Sequence, residues 1–380
     1  MKQAHYIITG AGASGLMLAY RMACDSFFDD KSIIIIDSDN QKQNDRTWCY
    51  WETGAGEWDE LLSKQWHHIY FGSKTHKKKY DISPYSYKLI RSQAFYDHLW
   101  RVINTKSNFE FICDKIIDIK EKEAKVLLQG KDHNYQCAKL FNSISNPKLY
   151  INQQQYPVLQ QHFVGWFIKT KHHTFDDSFA TFMDFDIPQK GHTRFMYILP
   201  LDQHTALFEY TLFSKDLLNF TEYEKAIKDY LAEKGIKNYD IIEKEKGAIP
   251  MTSYNFSKHN SQHILNIGTA GGWTKASTGY TFKNSTKKTK ALVNYLKTSQ
   301  DLRHFSKKNK FWYYDLLLLD VLSNHNAKGS ALFSSMFKKT NVKTILRFLD
   351  EESTLLEDLK IITAVPPKNF IKAFIKRLFY

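Results

Sequence analysis

Nine residues near the start constrain this chain most: Ile7-Ile8-Thr9-Gly10-Ala11-Gly12-Ala13-Ser14-Gly15. They form a GxGxxG turn between an apolar strand and a helix. Gly10 permits the tight turn, Gly12 lets a pyrophosphate approach the backbone, and Gly15 lets the helix pack close to the strand. The helix N-terminus, including Ala13, supplies N–H donors and a positive dipole. Residues 32–37 contain four consecutive isoleucines, as in a buried parallel strand. Asp37 ends that strand about 20 residues beyond the glycines, where a carboxylate can accept from ribose hydroxyls. A turn without ligand is the alternative, but strand, helix and terminal acid together favour a nucleotide. The motif alone does not choose between NAD and FAD. Its place at the start suits FAD enzymes. So does a second run, Gly268-Thr269-Ala270-Gly271-Gly272, which also lies between a strand and a helix.

A length of 380 residues suggests two or three domains. The net charge of +13 is mostly dispersed Lys, with clusters at Lys77-Lys78-Lys79 and Lys287-Lys288. A solvated surface and a functional basic face both account for it. There is no helix-turn-helix, zinc-finger or RNP pattern, so nucleic acid is not an expected partner. The four cysteines form no CxxC pair and are read as free thiols in a reducing cytosol. No signal peptide and no stretch of ~18 apolar residues is apparent. No metal is expected: His67-His68 and His172-His173 lack surrounding carboxylates or thiols, and neighbouring strand residues point to opposite faces. Ser14 and Ser143 lack the GxSxG elbow of a serine hydrolase.

Residues 44–58 read as a Trp-rich loop, 69–90 as short strands, and 92–102 as a helix. Strands are expected over 109–142 and 164–212. A helix follows, with Thr221 and Glu224 as a capping box and Gly235 as its stop. Another helix ends near Lys297, and the chain is helical after about 305. Together with the resemblance given below, these elements imply an α/β fold class: a Rossmann-type, glutathione-reductase-like domain interleaved with a β-sheet domain, then a helical C-terminus. The FAD-binding part is assigned to 1–75, about 255–300 and parts of 90–150. The substrate-binding sheet is assigned to about 76–90 and 151–254, and the helical region to 301–380.

The flanking residues are more specific. Asn44-Asp45-Arg46-Thr47-Trp48-Cys49-Tyr50-Trp51-Glu52 resembles the NDRTWCFWE signature of lycopene β-cyclases. Phe182-Met183-Asp184-Phe185, with Gln189 and Gly191, is similar to the MDF…Q…G element. Leu207-Phe208-Glu209-Tyr210-Thr211-Leu212-Phe213-Ser214 resembles the catalytic-acid motif, and residues 268–280 resemble GTAGG…TKPSTGY. Ala276 stands where that family usually has Pro. Asn142-Ser143-Ile144 stands where relatives tend to have Asp-Ser-Arg; both changes bear on loop geometry near the cofactor. The resemblance runs to about residue 300 and identifies the chain as similar to the bacterial lycopene cyclases.

The resemblance implies cyclisation of the linear ψ-ends of lycopene and related carotenoids to β-rings, through γ-carotene to β-carotene. It also implies reduced FAD as cofactor, with NAD(P)H as electron donor. The reaction is a net isomerisation. Protonation of the terminal alkene creates a tertiary cation, the neighbouring double bond attacks it, and a ring proton leaves. Water must be excluded, and the acid must be a carboxyl held protonated. Glu209 is expected nearest that proton transfer, because it interrupts an apolar strand; a paired structural Glu is the alternative. Asp184 and Glu52 are secondary candidates for shaping the site, with salt bridges or loop hydrogen bonds as the alternative. Arg46 is expected to orient a carboxylate or phosphate, and Arg91 to approach the cofactor, with a structural role the alternative for both. Gly10, Gly12, Ala13, Gly15, Asp37 and Gly268 to Gly272 complete the expected cofactor contacts.

Lycopene resides in bilayers, so a peripheral position on the inner face of the bacterial cytoplasmic membrane is expected. Phe370, Ile371, Phe374, Ile375 and Leu378 share one helical face, with Lys368, Lys372 and Lys376 elsewhere. Docking of that face on the protein itself is the alternative. Two rival functions are a flavin reductase or hydroxylase of the same fold, and a basic lipid- or nucleic-acid-binding protein on a relict flavin fold.

Overall fold

Strand β1 (Lys2–Thr9), helix α1 (Ala13–Ala23) and strand β2 (Ile33–Asp37) form the expected βαβ unit of the computed structural model, which describes residues 1–40 and 44–379. β1 and β2 pair in parallel. All four isoleucines of β2 are buried, as a strand covered on both faces requires. The chain continues through β3 (Thr47–Thr53), β4 (Leu62–Trp66), β5 (His68–Ser73), β6 (His76–Asp81), β7 (Tyr85–Arg91), α2 (Ser92–Ile103), β8 (Phe109–Cys113), β9 (Ile116–Lys122), β10 (Lys125–Gly130) and β11 (Asn134–Asn142). After α3 (Lys148–Ile151) come β12 (Leu159–Lys169), β13 (Ala180–Asp184), β14 (Thr193–Pro200), β15 (Thr205–Ser214), α4 (Phe220–Glu233), β16 (Asp240–Met251) and β17 (Ile264–Asn266). The C-terminal part holds α5 (Phe282–Thr298), α6 (Lys310–His325), α7 (Gly329–Lys339), α8 (Val342–Leu349), α9 (Leu355–Ala364) and α10 (Pro367–Leu378).

The nucleotide sheet has the order β8-β2-β1-β11-β10-β9, and β17 returns from far along the chain to pair in parallel with β11. The two layers are therefore interleaved. A second sheet has the order β16-β12-β15-β14-β13-β5-β6, and a third the order β3-β7-β4. The boundary expected near residue 75 falls between β5 and β6, which pair with each other in the large sheet.

Strand alternation decides what β15 presents on each side. Phe208, Tyr210 and Leu212 pack toward α4 with Ile227 and Tyr230. Leu207 and Phe213 pack on the other face with Phe195, Phe333 and Phe337. Period two places Glu209 on this second face.

Two local expectations are corrected. Residues 47–53 form a strand rather than a loop, with Thr47 to Thr53 opposite Arg91 to Tyr85. Trp48, Tyr50 and Trp51 are aromatic residues that suit a half-buried pleated surface. The capping box at Thr221 does not form, because α4 begins two residues earlier with Asn219 as its N-cap and Glu224 accepts from Lys244. Gly235 does end the helix, with φ +75° and its N–H on Ala232.

Candidate active site

Gly10 adopts φ +91° and donates its N–H to Ile36 at 2.7 Å. A Cβ on Gly15 would stand 2.0 Å from the Gly10 carbonyl oxygen, whereas one on Gly12 would meet nothing within 4 Å. The turn is thus closed against its own helix and open outward. Asp37 Oδ2 accepts from the Ala11 N–H at 2.5 Å, which holds this carboxylate against the turn. Ser143 Oγ donates to the carbonyls of Thr9 and Gly10. Asn142, one of the departing positions, accepts from Thr9 Oγ1 at 2.8 Å and donates to Asn266 at 2.8 Å. It therefore ties β1, β11 and β17 together. The second Gly-rich run packs beside the first: a Cβ on Gly268 would lie 2.7 Å from Ser14 Oγ. Gly271 backs onto the Asn266 carbonyl, and Gly272 closes the turn at φ +66°.

One cavity of about 780 Å³ starts at Gly12, Ala13 and Ser14, passes Arg46 and Gly268, and reaches Tyr197 and Glu209. A smaller one of about 330 Å³ lies at Ala11, Tyr96 and Trp100. The two therefore flank the same turn. The open space over Gly12, the outward helix N-terminus and the acid beside them fit the pyrophosphate and ribose of FAD. Gly268 and Thr269 could hold the inner part of such a cofactor, whereas Ala270, Gly271 and Gly272 shape the turn behind them.

The deep end is aromatic. Phe182, Phe195 and Tyr197 from the large sheet meet Tyr280 and, from α7, Phe333 and Phe337. The Tyr87 hydroxyl lies 2.5 Å from that of Tyr197 and 3.3 Å from that of Tyr280. Glu209 is buried among them and accepts from Thr211 Oγ1 at 2.5 Å. Burial first, and then the charge of Glu245, raise its carboxyl well above the ordinary value. Glu245 itself is pushed up to about 7, by burial against the opposing pull of Thr47 and Arg91. Such a site can hold an acid protonated at neutral pH beside an apolar chain.

Of the three acids singled out from the sequence, Glu209 alone lines this cavity. Asp184 accepts from Tyr230 OH at 2.8 Å and from the Asp186 N–H. Glu52 pairs with the buried Lys88, which also binds Asp59. Asp184 is thus hydrogen-bonded and Glu52 ion-paired, neither of them lining the cavity. Arg46 borders the cavity. Arg91 is not among the cavity-lining residues. As the last residue of β7 it reaches Thr47 and Glu243 and lies over the Phe167 ring at 4.1 Å. Sequence reading missed Glu245, Gly165, Tyr87 and Tyr197. In Glu243-Lys244-Glu245-Lys246 the alternation looks like an exposed edge, and only sheet register brings Glu245 to Glu209. Among the described residues, no group of His, Cys, Asp or Glu is arranged for a metal ion.

Residues 6–374 match the family model described as "Lycopene cyclase protein". A neoxanthin synthase, chloroplastic, from Solanum tuberosum is 23% identical over 309 residues, covering 72% of this chain. The match spans 56% of that protein. Among solved structures, the flavin-dependent brominase Bmp2 superposes with a TM-score of 0.64 at 11% identity, covering 99% of this chain and 100% of that one. A geranylgeranyl bacteriochlorophyll reductase-like protein from Thermoplasma acidophilum gives 0.59 at 10% identity, with 98% and 96% covered. The fold is thus the Rossmann-type flavoprotein fold.

Proposed function

Because the chain belongs to the lycopene cyclase family, we propose that it is a lycopene β-cyclase that converts ψ-ends to β-rings with reduced FAD bound at the Gly-rich turn. The observation that carries this reading is the position of Glu209. Its raised carboxyl stands at the aromatic end of the same cavity that opens onto Gly12 and Gly268.

In this reading Glu209 gives its proton to the terminal alkene. Its O–H bond breaks, a C–H bond forms, and the tertiary cation closes on the neighbouring double bond. A ring proton then leaves and restores the acid, so the reaction is an isomerisation. Phe182, Phe333 and Phe337 keep water from the cation. Aromatic faces attract it by ~0.5–2 kcal/mol each. Bound in reduced form, FAD would supply negative charge beside the cation, and NAD(P)H is the proposed source of its electrons.

We further propose that α9 and α10 bring the protein to an anionic membrane surface. No described helix is long and apolar enough to cross a membrane. α10 docks through Ala373 and an Arg377–Asp320 ion pair, while Ile371, Ile375 and Leu378 stay exposed. Leu355, Leu356 and Leu359 of α9 are exposed as well, with Lys360, Lys368 and Lys372 nearby in sequence. Apolar side chains with interspersed cations suit an interface between headgroups and acyl chains.

The test is incubation of purified protein with reduced FAD and lycopene in liposomes, with pigments separated by chromatography. β-Carotene formed without matching NADPH consumption supports the reading. Unchanged lycopene, or reductant consumed in step with a reduced product, contradicts it.

A further inference from the structure

Gly165 of β12 lies opposite Glu209 on β15 and opposite Glu245 on β16. It is the only residue type without a side chain, and it separates two acids on flanking strands. A Cβ there would stand 2.8 Å from Leu207 Cδ1 and 3.1 Å from Glu245 Cγ. The gap leaves room over the middle strand for the two carboxyls to approach each other, and the charge of Glu245 acts on Glu209. Two carboxyls brought together in this way can hydrogen-bond only when one carries a proton. Thr211 Oγ1 donates to Glu209 Oε1, and Thr47 Oγ1 donates to Glu245 Oε2 at 2.8 Å.

We propose that Glu209 and Glu245 share one proton as a carboxyl pair, with Glu245 a positioning residue whose negative charge keeps that proton on Glu209. This rests on the cyclase reading of the site. In the reaction the pair gives one proton to the alkene carbon and takes one back from the ring, so no acid is consumed.

Among the described residues, the thiol and the phenols that face the pair keep their protons near neutrality. From β3, burial pushes the Cys49 thiol up to about 12. From β7, β14 and the segment before α5, burial raises the phenols of Tyr87, Tyr197 and Tyr280. Arg91 and Arg46 are permanent cations, and Glu243 is held by Arg91. The two acids are therefore the groups that titrate together, as like charges in one site do.

The experiment compares wild type, Glu245→Gln and Glu245→Asp as FAD-loaded protein. Gln keeps the size and the hydrogen bonds but removes the charge. The alkaline limb of the pH–kcat profile should move to lower pH by at least about one unit in Glu245→Gln. KM should stay unchanged, and Asp should restore part of the shift. The infrared carbonyl band of the neutral carboxyl, assigned by its loss in Glu209→Gln, should titrate lower by the same amount in Glu245→Gln. An unmoved profile and an unmoved band in either foldable variant overturn the pair. If wild type makes no β-carotene, the cyclase reading fails, while the infrared titration still decides whether the proton is shared.

Discussion

The missing side chain of Gly15 is occupied by the Gly10 carbonyl oxygen: a Cβ there would lie 2.0 Å from it. The same turn leaves Gly12 facing open space. Two glycines of one motif therefore predict opposite phenotypes. Gly15→Ala should lower stability by about 2 kcal/mol or more, since the helix must lift from the strand. Gly12→Leu should melt like wild type but bind FAD at least roughly tenfold more weakly, a loss of about 1.4 kcal/mol. Thermal denaturation and flavin fluorescence titration check the two.

The carboxyl pair predicts a pH dependence of stability with a definite sign. Glu245 holds its proton up to about 7 when folded, against an ordinary value of 4.5. Between those values the folded chain binds a proton that the unfolded chain has lost, so stability falls as pH rises through this window. The loss is about 3 kcal/mol at most, and Glu209 adds to it in the same direction. Glu245→Gln should match wild type near pH 4 and become the more stable protein by pH 7.5. A gap that does not change with pH would count against the carboxyl pair.

Phe337 predicts a change of product. It stacks on Phe71 with centroids 4.2 Å apart and also lines the cavity. Phe337→Ala should cost about 3–5 kcal/mol and admit water to the deep end. Water that traps the cation leaves an acyclic carotenoid heavier by one water, which mass spectrometry of the pigments would detect.

The exposed apolar residues of α9 and α10 predict separable effects on folding and binding. Replacing Leu355, Leu359, Ile371 and Ile375 by Ser should change stability by no more than about 0.5 kcal/mol per site. It should also reduce flotation with anionic vesicles. Point changes are cleaner than deleting residues 367–380, because a deletion also removes Arg377 from Asp320. Undiminished flotation would take these helices out of the membrane contact.

The nucleotide turn was legible because it is local. Glycine spacing, a buried isoleucine strand and a terminal acid all lie within one βαβ unit. Glu209 was legible because an acid inside an apolar alternation stands out. Glu245 was not, since its own segment alternates Glu and Lys, and its meaning depends on pairing with a strand some 80 residues earlier in sequence. Arg91 and Glu52 show the converse: a charged residue inside a motif can pair with a neighbouring side chain, here Glu243 and Lys88. The C-terminal face was read on α10 alone, although Leu355, Leu359 and Ile362 of α9 also stand at helical spacing, i, i+4 and i+7.

Glu209 bears the central claim, and one comparison tests it most directly. Wild type and Glu209→Gln are expressed in lycopene-accumulating cells, with pigments separated by chromatography and bound FAD measured in each purified protein. Wild type should convert lycopene to β-carotene. Glu209→Gln should retain its flavin and leave lycopene almost untouched, slowed by about 100-fold or more. Cyclisation by the flavin-bound Glu209→Gln protein at close to the wild-type rate would contradict the account.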